Sequence, residues 1–344
     1  MTTLKVAILG TGAWGINYVR ALATTPGVEL AMVADPDPRA HERVRGISPA
    51  TECVADADRV LADPAIDAVV IASPAPSHAQ LACAALDAGK HVLVEKPFAL
   101  NVVDATRIAE TAQRTSRIVT VGHLMVHHPA VVQLRALIRS GALGELHYVY
   151  ATRANLGRRR TDENVLWSFG SHDLSMLEFL LGRVPVSVSA RGQCVMQPGN
   201  EDVVFMTMRY PDGLIANVHA SWLSPRKERR LTIVGSNKLV ELDDVGPDKL
   251  KIYDRDWDQP PRFTRFDEYL TLRGGDVHIP RVEMEEPLRR QVRYWLDAIA
   301  SRTPVDNEIA GPANGLRVVT ILEAAQRSVR QEGAPMNIHY AACD

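Results

Sequence analysis

Residues 4–15 read Leu4-Lys5-Val6-Ala7-Ile8-Leu9-Gly10-Thr11-Gly12-Ala13-Trp14-Gly15, and this stretch decides the fold. An apolar run enters a glycine-rich turn, and a helical pattern of apolar residues follows the turn. Asp35 ends the next apolar run, 20 residues after Gly15. Such glycines let a backbone approach a pyrophosphate, the helix N-terminus favours its charge, and the spaced carboxylate accepts from ribose hydroxyls. The stretch predicts dinucleotide binding by Gly10, Thr11, Gly12, Ala13, Trp14, Gly15 and Asp35.

Short apolar runs alternate with helical patterns as far as residue 122. This alternation predicts a Rossmann domain, a doubly wound parallel sheet, over residues 1–122. The predicted strands are 5–9, 30–34, 68–72, 91–94 and 118–122, and Ser77 is expected to cap a helix over 77–87. Ligands bind such sheets at the carboxyl ends of the strands. Further cofactor contacts are therefore expected at that edge from Ser73, Pro74, His78, Glu95, Lys96 and Pro97.

The pattern changes after Pro129. A predicted helix over 131–138 is followed by alternating runs at 186–195, 203–209, 214–222, 230–234 and 238–242, with turn residues between several of them. Such runs predict a mostly antiparallel sheet with one apolar and one polar face. Residues 123–344 are thus expected to form an α+β domain with a large open-faced sheet, which binds substrate and joins subunits into a homodimer or homotetramer.

Composition excludes several classes of protein. The chain has 344 residues, 46% of them hydrophobic, and a net charge of −2, so no basic field favours nucleic acid or a membrane surface. No apolar run reaches the roughly 18 residues of a membrane span, and the N-terminal apolar run is a strand rather than a secretion signal. The 4 cysteines are widely spaced, as is typical of reduced thiols, and a cytoplasmic protein is expected.

Two side chains are candidates for proton transfer in hydride chemistry. Oxidation of a secondary alcohol sends a hydride to the cofactor and a proton to a base. Lys96 follows an apolar strand at the ligand edge, where partial burial beside a cationic nicotinamide favours its neutral amine. His172 lies in the first turn of a helix expected to start near Gly170 and Ser171, and its imidazole can exchange a proton at physiological pH.

The motifs taken together resemble the glucose-fructose oxidoreductase / inositol dehydrogenase / MocA family. The resemblance is carried by Glu95-Lys96-Pro97 after a Rossmann first half, by Gly122-His123 and by residues 167–173, and it spans nearly the whole chain. It implies that Lys96 and His172 are catalytic and flank the reacting carbon. Many members carry aspartates four residues before and three residues after this histidine. Here Ser168 and Ser175 stand at those positions, so the carboxylate relay is absent.

Residues 153–167 are more specific than the family core. Their Asn-Leu-Gly and Asn-Val-Leu-Trp elements, followed by His-Asp, resemble the nucleotide-sugar 3-dehydrogenase branch, which oxidises the C3 hydroxyl of UDP-linked amino sugars. Arginines suit a diphosphate or a carboxylate, and a tryptophan offers a stacking face to a sugar or base. The expected contacts to the sugar substrate come from His123, Arg153, Asn155, Arg160, Asn164, Trp167 and Ser168. A solvated arginine loop and a core tryptophan are the structural alternatives.

The sequence leaves alternatives open for the cofactor, the substrate and the type of reaction. Asp35 repels a 2′-phosphate, which favours NAD over NADP, and no metal site is expected from the neighbouring His127 and His128. An inositol or the sugar ring of an aminoglycoside, as in antibiotic biosynthesis, is an alternative substrate. A redox-neutral glycosidase that uses NAD transiently, and a non-catalytic sensor of sugar or NAD, are alternatives from other functional classes.

Overall fold

The computed structural model describes residues 3–157, 163–258, 271–306 and 309–341, with 255–258 and 271–274 described by their backbone alone. The chain forms two compact units. The first comprises Met1–His127, Glu285–Glu323 and Tyr340–Asp344, and the second comprises His128–Met284 and Ala324–His339.

The first unit begins with an alternating series of strands and helices. In chain order these are β1 (Leu4–Leu9), α1 (Gly15–Leu22), β2 (Val28–Ala34), α2 (Pro38–Ile47), β3 (Glu52–Val54), α3 (Ala57–Ala62), β4 (Ala68–Ile71), α4 (His78–Asp87), β5 (His91–Val94), α5 (Val102–Thr115) and β6 (Val119–Val121). The strands form a 6-stranded parallel sheet in the order β3-β2-β1-β4-β5-β6. This is the Rossmann order, which reverses between β1 and β4 and opens a ligand crevice there.

The predicted fold class is confirmed in this unit, and local details differ. The elements α2, β3 and α3 were not predicted, because residues 38–62 are rich in charged side chains. Ser77 is the N-cap residue of α4, as predicted, but its side chain makes no capping hydrogen bond. Its hydroxyl instead lies 2.6 Å from the Ser73 hydroxyl and donates to the Pro74 carbonyl, in a short 3-10 turn over Ala75–Ser77.

The second unit is built around a large sheet. Its elements are α6 (Pro129–Arg139), β7 (Leu146–Leu156), α7 (Ser171–Leu181), β8 (Ser187–Gln193), β9 (Val203–Arg209), β10 (Ile215–Ser221), β11 (Leu223–Gly235), β12 (Lys238–Asp243), β13 (Leu250–Asp258) and β14 (Thr271–His278). Later in the chain come α8 (Pro287–Ser301), α9 (Pro312–Arg330) and β15 (Met336–Asn337). The 9-stranded sheet has the order β14-β13-β12-β11-β7-β10-β9-β8-β15. It is antiparallel except for β10 and β7, which pair in parallel; β7 was not predicted.

The two faces of this sheet differ in burial, as the alternating runs predict. Along β7 and β9 the residues that point to one face are buried, including Val149, Ala151 and Met206. The opposite face was predicted to be polar; it carries Thr207, Asn217 and His219, but it also exposes large apolar side chains, namely Tyr148, Tyr150, Phe205 and Ile215. The predicted α+β architecture with an open-faced sheet is confirmed, and the prediction of a polar face was wrong in part.

Helix α8 belongs to the core of the first unit. Its apolar residues at helical spacing, Leu288, Val292 and Trp295, are buried in the cluster that contains Val6 and Tyr18. The predicted division at residue 122 separates α8 from this core, whereas the compact unit includes it. An amphipathic helix shows that it has a buried face but not which sheet covers that face.

Trp295 has no exposed surface, so Trp295→Ala is expected to lower the free energy of unfolding by about 3–5 kcal/mol, the cost of emptying a large core site. Urea unfolding followed by circular dichroism measures the loss. The control is Val103→Ala on α5, where the side chain is 79% exposed and little change is expected. Equal losses in the two variants would show that α8 does not stabilise this core.

Candidate active site

The glycine turn between β1 and α1 is shaped by close backbone contacts. Gly10 has a φ of +90°, and a Cβ there would lie 2.7 Å from the Ser73 nitrogen. A Cβ on Gly15 would lie 2.1 Å from the Gly10 carbonyl oxygen, so neither position accepts a side chain. Around Gly12 no atom lies within 4 Å of the Cβ position. The turn is therefore packed against β4 at its two ends and open at Gly12, as a backbone that receives a phosphate group requires.

Asp35 joins this turn to the end of β2. Its Oδ2 accepts hydrogen bonds from the Thr11 backbone N–H (2.7 Å) and the Thr11 hydroxyl (3.1 Å). Its Oδ1 accepts from the Asp37 backbone N–H at 3.0 Å. A carboxylate has about four lone-pair sites, so Asp35 keeps some capacity to accept from a ribose hydroxyl. Its position was predicted, and its tie to Thr11 was not.

Glu95 connects the turn to the end of β5. The buried Oε1 accepts from the Trp14 indole N–H at 2.6 Å and from the Tyr18 hydroxyl at 2.5 Å. Its Oε2 accepts from the Lys96 backbone N–H at 3.1 Å. Burial raises the pKa of Glu95, while these donors and the Lys96 charge oppose that shift. Tyr18 lies one helical turn after Trp14, a spacing from which its role could have been predicted.

His78 lies between two carbonyl groups of the same sheet edge and can donate its ring N–H to one of them. Its Nε2 lies 2.9 Å from the Ser73 carbonyl oxygen and its Nδ1 lies 2.8 Å from the Pro97 carbonyl oxygen. The ring is 1% exposed, so His78 supports the backbone at this edge. Pro74 is exposed beside Ser73, and the Lys96-Pro97 peptide is cis. The strand ends thus bring Ser73, Lys96 and Pro97 together, as the topology predicted.

Lys96 and His123 stand at the ends of neighbouring strands. Lys96 is half-buried directly after Glu95. His123 is fully buried after β6, and its Nδ1 lies 2.6 Å from the Asn314 Oδ1. Burial, and secondarily the Lys96 charge, lowers the pKa of His123 to about 4, against the effect of the Asn314 hydrogen bond. Asn314 is 191 positions further along the chain, so no local signal points to it.

In the second unit Arg153 is committed to an ion pair. Its Nε and Nη2 donate to the Asp173 carboxylate at 2.9 to 3.1 Å, and both side chains are buried. Arg153 was predicted to bind substrate. The structure instead places its positive charge against Asp173, on the first turn of α7, where it holds that helix to β7.

His172 occupies a distinctive position on α7. Between Ser171 and Leu180 all residues of the helix are buried except His172, which is half-buried. The Ser175 hydroxyl donates to the His172 carbonyl at 3.0 Å and steadies this turn. The α-helix does begin at Ser171, as predicted, but a π-helical turn over Leu166–Gly170 precedes it. His172 is therefore held within a continuous helical segment rather than at a free helix end.

Asn164 and Trp167 lie in a polar network. The Asn164 Nδ2 donates to Glu201 (2.5 Å) and to the Gln326 Oε1 (2.7 Å), and the Trp167 indole N–H donates to the same Gln326 oxygen at 3.3 Å. Asn164 and Trp167 are each 8% exposed. Both were predicted to bind substrate, and the structure uses their polar atoms to brace the segment before α7. Glu201 and Gln326 are distant in sequence and were not predicted.

The remaining predicted substrate contacts differ in position. Ser168 is buried in the π-helical turn, where its N–H donates to the Asn164 carbonyl. Asn155 is half-buried on β7, with its side-chain amide donating to the Leu156 carbonyl. Arg160 lies outside the described residues.

Over the described ranges, no group of three or more His, Cys, Asp or Glu side chains is arranged to hold a metal ion. No helix in the described part of the chain is long and apolar enough to span a membrane.

Known protein families match both halves of this architecture. The model described as "Oxidoreductase family, NAD-binding Rossmann fold" matches residues 4–123, and the model of the GFO/IDH/MocA C-terminal domain matches residues 131–241. The chain belongs to the GFO/IDH/MocA oxidoreductase family. The predicted family, the oxidoreductase class and NAD as the cofactor are thereby confirmed. The open backbone at Gly12 and the carboxylate of Asp35 fit that cofactor.

Named relatives cover almost the whole chain. UDP-N-acetylglucosamine 3-dehydrogenase of Acidithiobacillus ferrooxidans is 28% identical over 89% of this chain and 91% of the relative. Inositol 2-dehydrogenase 1 of Saccharopolyspora erythraea is 32% identical over 98% of this chain and 97% of the relative. The crystal structure of an oxidoreductase from Magnetospirillum magnetotacticum has a TM-score of 0.80 at 32% identity, covering 94% of this chain and 99% of that one. The chain thus lies in a family of NAD-dependent sugar and polyol dehydrogenases.

Asp173→Asn keeps the shape of the side chain and leaves the buried Arg153 guanidinium without its counter-charge. The free energy of unfolding is expected to fall by about 3 kcal/mol or more, as measured by urea unfolding. The control is Asp212→Asn, which breaks the Arg183–Asp212 pair, where the side chains are 35% and 47% exposed. That loss is expected to stay below about 1 kcal/mol. Equal losses in the two variants would contradict a structural role for the buried pair.

Proposed function

We propose that this protein is an NAD-dependent dehydrogenase that oxidises a secondary hydroxyl group, at C3, of a nucleotide-linked amino sugar to a ketone. The observation that carries the proposal is the position of Lys96. This half-buried lysine directly follows Glu95, whose carboxylate accepts several hydrogen bonds, at the ligand edge of the Rossmann sheet. The similarity to a UDP-N-acetylglucosamine 3-dehydrogenase supports the choice of substrate and of ring position.

The chain's own residues handle the proton of this reaction. Bound NAD supplies the hydride acceptor. The substrate hydroxyl proton then needs a base, and the Lys96 amine is suited to accept it because its backbone is held by Glu95. Glu95 in turn is held by Trp14 and Tyr18, which limits the freedom of the segment that carries Lys96. His172, the half-buried residue between the buried Ser171 and Asp173 on α7, is proposed as a second proton-exchanging group.

The cofactor preference follows from the same edge. Asp35 presents a carboxylate where a 2′-phosphate of NADP would have to lie, and like charges repel. The side chain is also tied to Thr11, so it cannot turn away without losing those hydrogen bonds. NAD rather than NADP is therefore proposed as the working cofactor.

One observation favours a second candidate substrate, an inositol. Arginines were predicted to bind a diphosphate. The charge of one of them, Arg153, is neutralised by Asp173. A neutral polyol needs no such cation. The relative named inositol 2-dehydrogenase 1, at 32% identity, supports this candidate. The nucleotide sugar is retained as the first candidate because the elements of residues 153–167 resemble that branch.

Lys96→Ala is expected to lower turnover by about 10²- to 10⁴-fold, the contribution of a positioned general base, and to leave NAD affinity nearly unchanged. Turnover is followed as NADH absorbance, and affinity by calorimetric titration with NAD. The control is Lys5→Ala, which removes an exposed lysine paired with Glu29 and should change neither quantity. Normal turnover in Lys96→Ala would remove Lys96 from the mechanism.

The substrate is tested with near-stoichiometric protein, NAD and single compounds, because oxidation of an alcohol by NAD is usually uphill. The panel contains UDP-linked amino sugars, inositols, free hexoses and aminoglycosides. NADH formed with the UDP-linked sugars supports the first candidate, and NADH formed only with an inositol supports the second. Glycoside cleavage with no net NADH would indicate the redox-neutral glycosidase, and NAD binding with no reaction would indicate a sensor.

We also propose that the open face of the 9-stranded sheet joins two copies of the chain. Tyr150 and Phe205 are 40% and 54% exposed there, beside the exposed Tyr148 and Ile215. Asn217, Thr207 and His219 lie among these side chains, so the face is mixed, but large exposed apolar side chains on one face are a liability when left in water. A second copy presents the same face, so a two-fold contact would cover both faces at once.

Tyr150→Glu is expected to shift the chain from a dimer or tetramer to a monomer, because a charge would then be buried in the contact. Size-exclusion chromatography with light scattering measures the molar mass. Val103→Glu places the same charge on the exposed surface of α5 and should leave the mass unchanged. A wild-type monomer at micromolar concentration would refute the contact.

A further inference from the structure

The ends of β5 and β6 run side by side beyond their last paired residues. Val94 pairs with Val121, and the Gly122 N–H donates to the Val94 carbonyl at 2.7 Å. A Cβ on Gly122 would lie 3.0 Å from the Glu95 Cα, so the two backbones are in contact at that level. Lys96 directly follows Glu95 beyond β5, and His123 directly follows Gly122 beyond β6. The topology therefore places an amine and an imidazole on adjacent strand ends.

The His123 ring is held in one orientation by Asn314. In the amide orientation of the structure, the Asn314 Oδ1 lies 2.6 Å from the His123 Nδ1, and with this acceptor the ring carries its hydrogen on Nδ1. A neutral ring with hydrogen on Nδ1 has an acceptor lone pair on Nε2. Within the described part of the chain this Nε2 is buried and has no hydrogen-bond partner, and the same holds for the Asn314 Nδ2. A buried acceptor without a donor costs free energy, so a donor brought within reach of the His123 Nε2 would be stabilising.

Burial, and to a lesser extent the neighbouring charges, keep the His123 ring neutral. Burial lowers the pKa of His123 to about 4, and the Lys96 charge contributes to that shift. Glu95 stands beside Lys96 on the β5 end, and His127 follows on the turn after β6, with the charge of Arg290 on α8 acting on it. The group that faces His123 from α9 is the uncharged Asn314. At neutral pH the His123 Nε2 is therefore an acceptor.

We propose that His123 is a positioning residue for Lys96: its Nε2 accepts a hydrogen bond from the Lys96 ammonium group formed when the lysine takes the substrate proton, and Asn314 fixes the ring for that purpose. The proposal rests on the proposed role of Lys96 as the base. An ammonium group has three N–H donors, so one bond to His123 leaves two for other partners. The bond favours the protonated lysine and aims its nitrogen, which makes Lys96 a stronger proton acceptor.

Two substitutions at Asn314 separate this role from a structural one. Asn314→Asp keeps an acceptor for the Nδ1 hydrogen and adds a negative charge, which strengthens Nε2 as an acceptor and favours protonated Lys96. The acid limb of the pH profile of kcat is expected to move to higher pH. Asn314→Leu has similar size and no acceptor, so the ring is no longer fixed. Its kcat is expected to fall about tenfold and its acid limb to move about one pH unit lower, as for one lost hydrogen bond to a charged group.

The controls test whether the effect passes through His123. In a His123→Leu background, Asn314→Asp should lose its upward shift. Asn17→Asp makes the same change on α1, where the new carboxylate would pair with Arg20, and it should leave the limb in place. An upward shift that persists without His123, or Asn314 variants that change kcat with no movement of the limb, would overturn the proposal.

A second measurement does not depend on turnover. Acetylation of Lys96 by acetic anhydride, resolved by peptide mass spectrometry as a function of pH, reports the neutral amine in the full chain with NAD bound. The midpoint should rise in Asn314→Asp and fall in Asn314→Leu. If these shifts occur while no sugar or polyol is oxidised, the positioning role stands and the proposed function fails. If sugars are oxidised and the midpoint is the same in all variants, the proposed function stands and the positioning role is refuted.

Discussion

Hydrogen bonds to the buried Glu95 carboxylate hold together the edge of the first unit at which the parallel strands have their carboxyl ends. A charge in this position is costly unless donors surround it, and here Trp14, Tyr18 and the Lys96 backbone supply them. These donors come from the glycine turn, from helix α1 and from the end of β5. One carboxylate thus ties the segment predicted to bind the pyrophosphate to the segment that carries the predicted base. Its removal would release both at once.

Close backbone contact at glycine positions makes this arrangement possible. Gly15 sits against the Gly10 carbonyl, and Gly122 sits against Glu95 itself. Any side chain at Gly122 would push the carboxylate away from its donors. The glycines of the turn are usually explained by the approach of a phosphate group. Here a further glycine, Gly122 after β6, leaves room for the buried Glu95 carboxylate. The glycine-rich motif alone does not predict this role.

The second unit holds its candidate histidine by other means. An ion pair between Arg153 and Asp173 joins α7 to the sheet, and the Asn164–Glu201–Gln326 network braces the segment in front of it. Arg153, Asn164 and Trp167 use their polar atoms within the protein. The positive charge of Arg153, which was predicted to bind substrate, is therefore paired within this unit.

The sequence alone was enough to predict a doubly wound parallel sheet, an open-faced sheet, the family, the cofactor and a lysine, Lys96, at the end of a strand. Each of these is encoded within a few residues or by a regular period: glycines at close spacing, an acid at the end of the next strand, and side chains that alternate between two faces. The tertiary structure alone decided that α8 completes the first core, that Arg153 is neutralised by Asp173, and that Asn314 meets His123. The two side-chain pairings, Arg153 with Asp173 and His123 with Asn314, join residues that are 20 and 191 positions apart. Hydrogen-bond partners at such sequence separations meet only when the chain packs, so a local sequence pattern does not predict them.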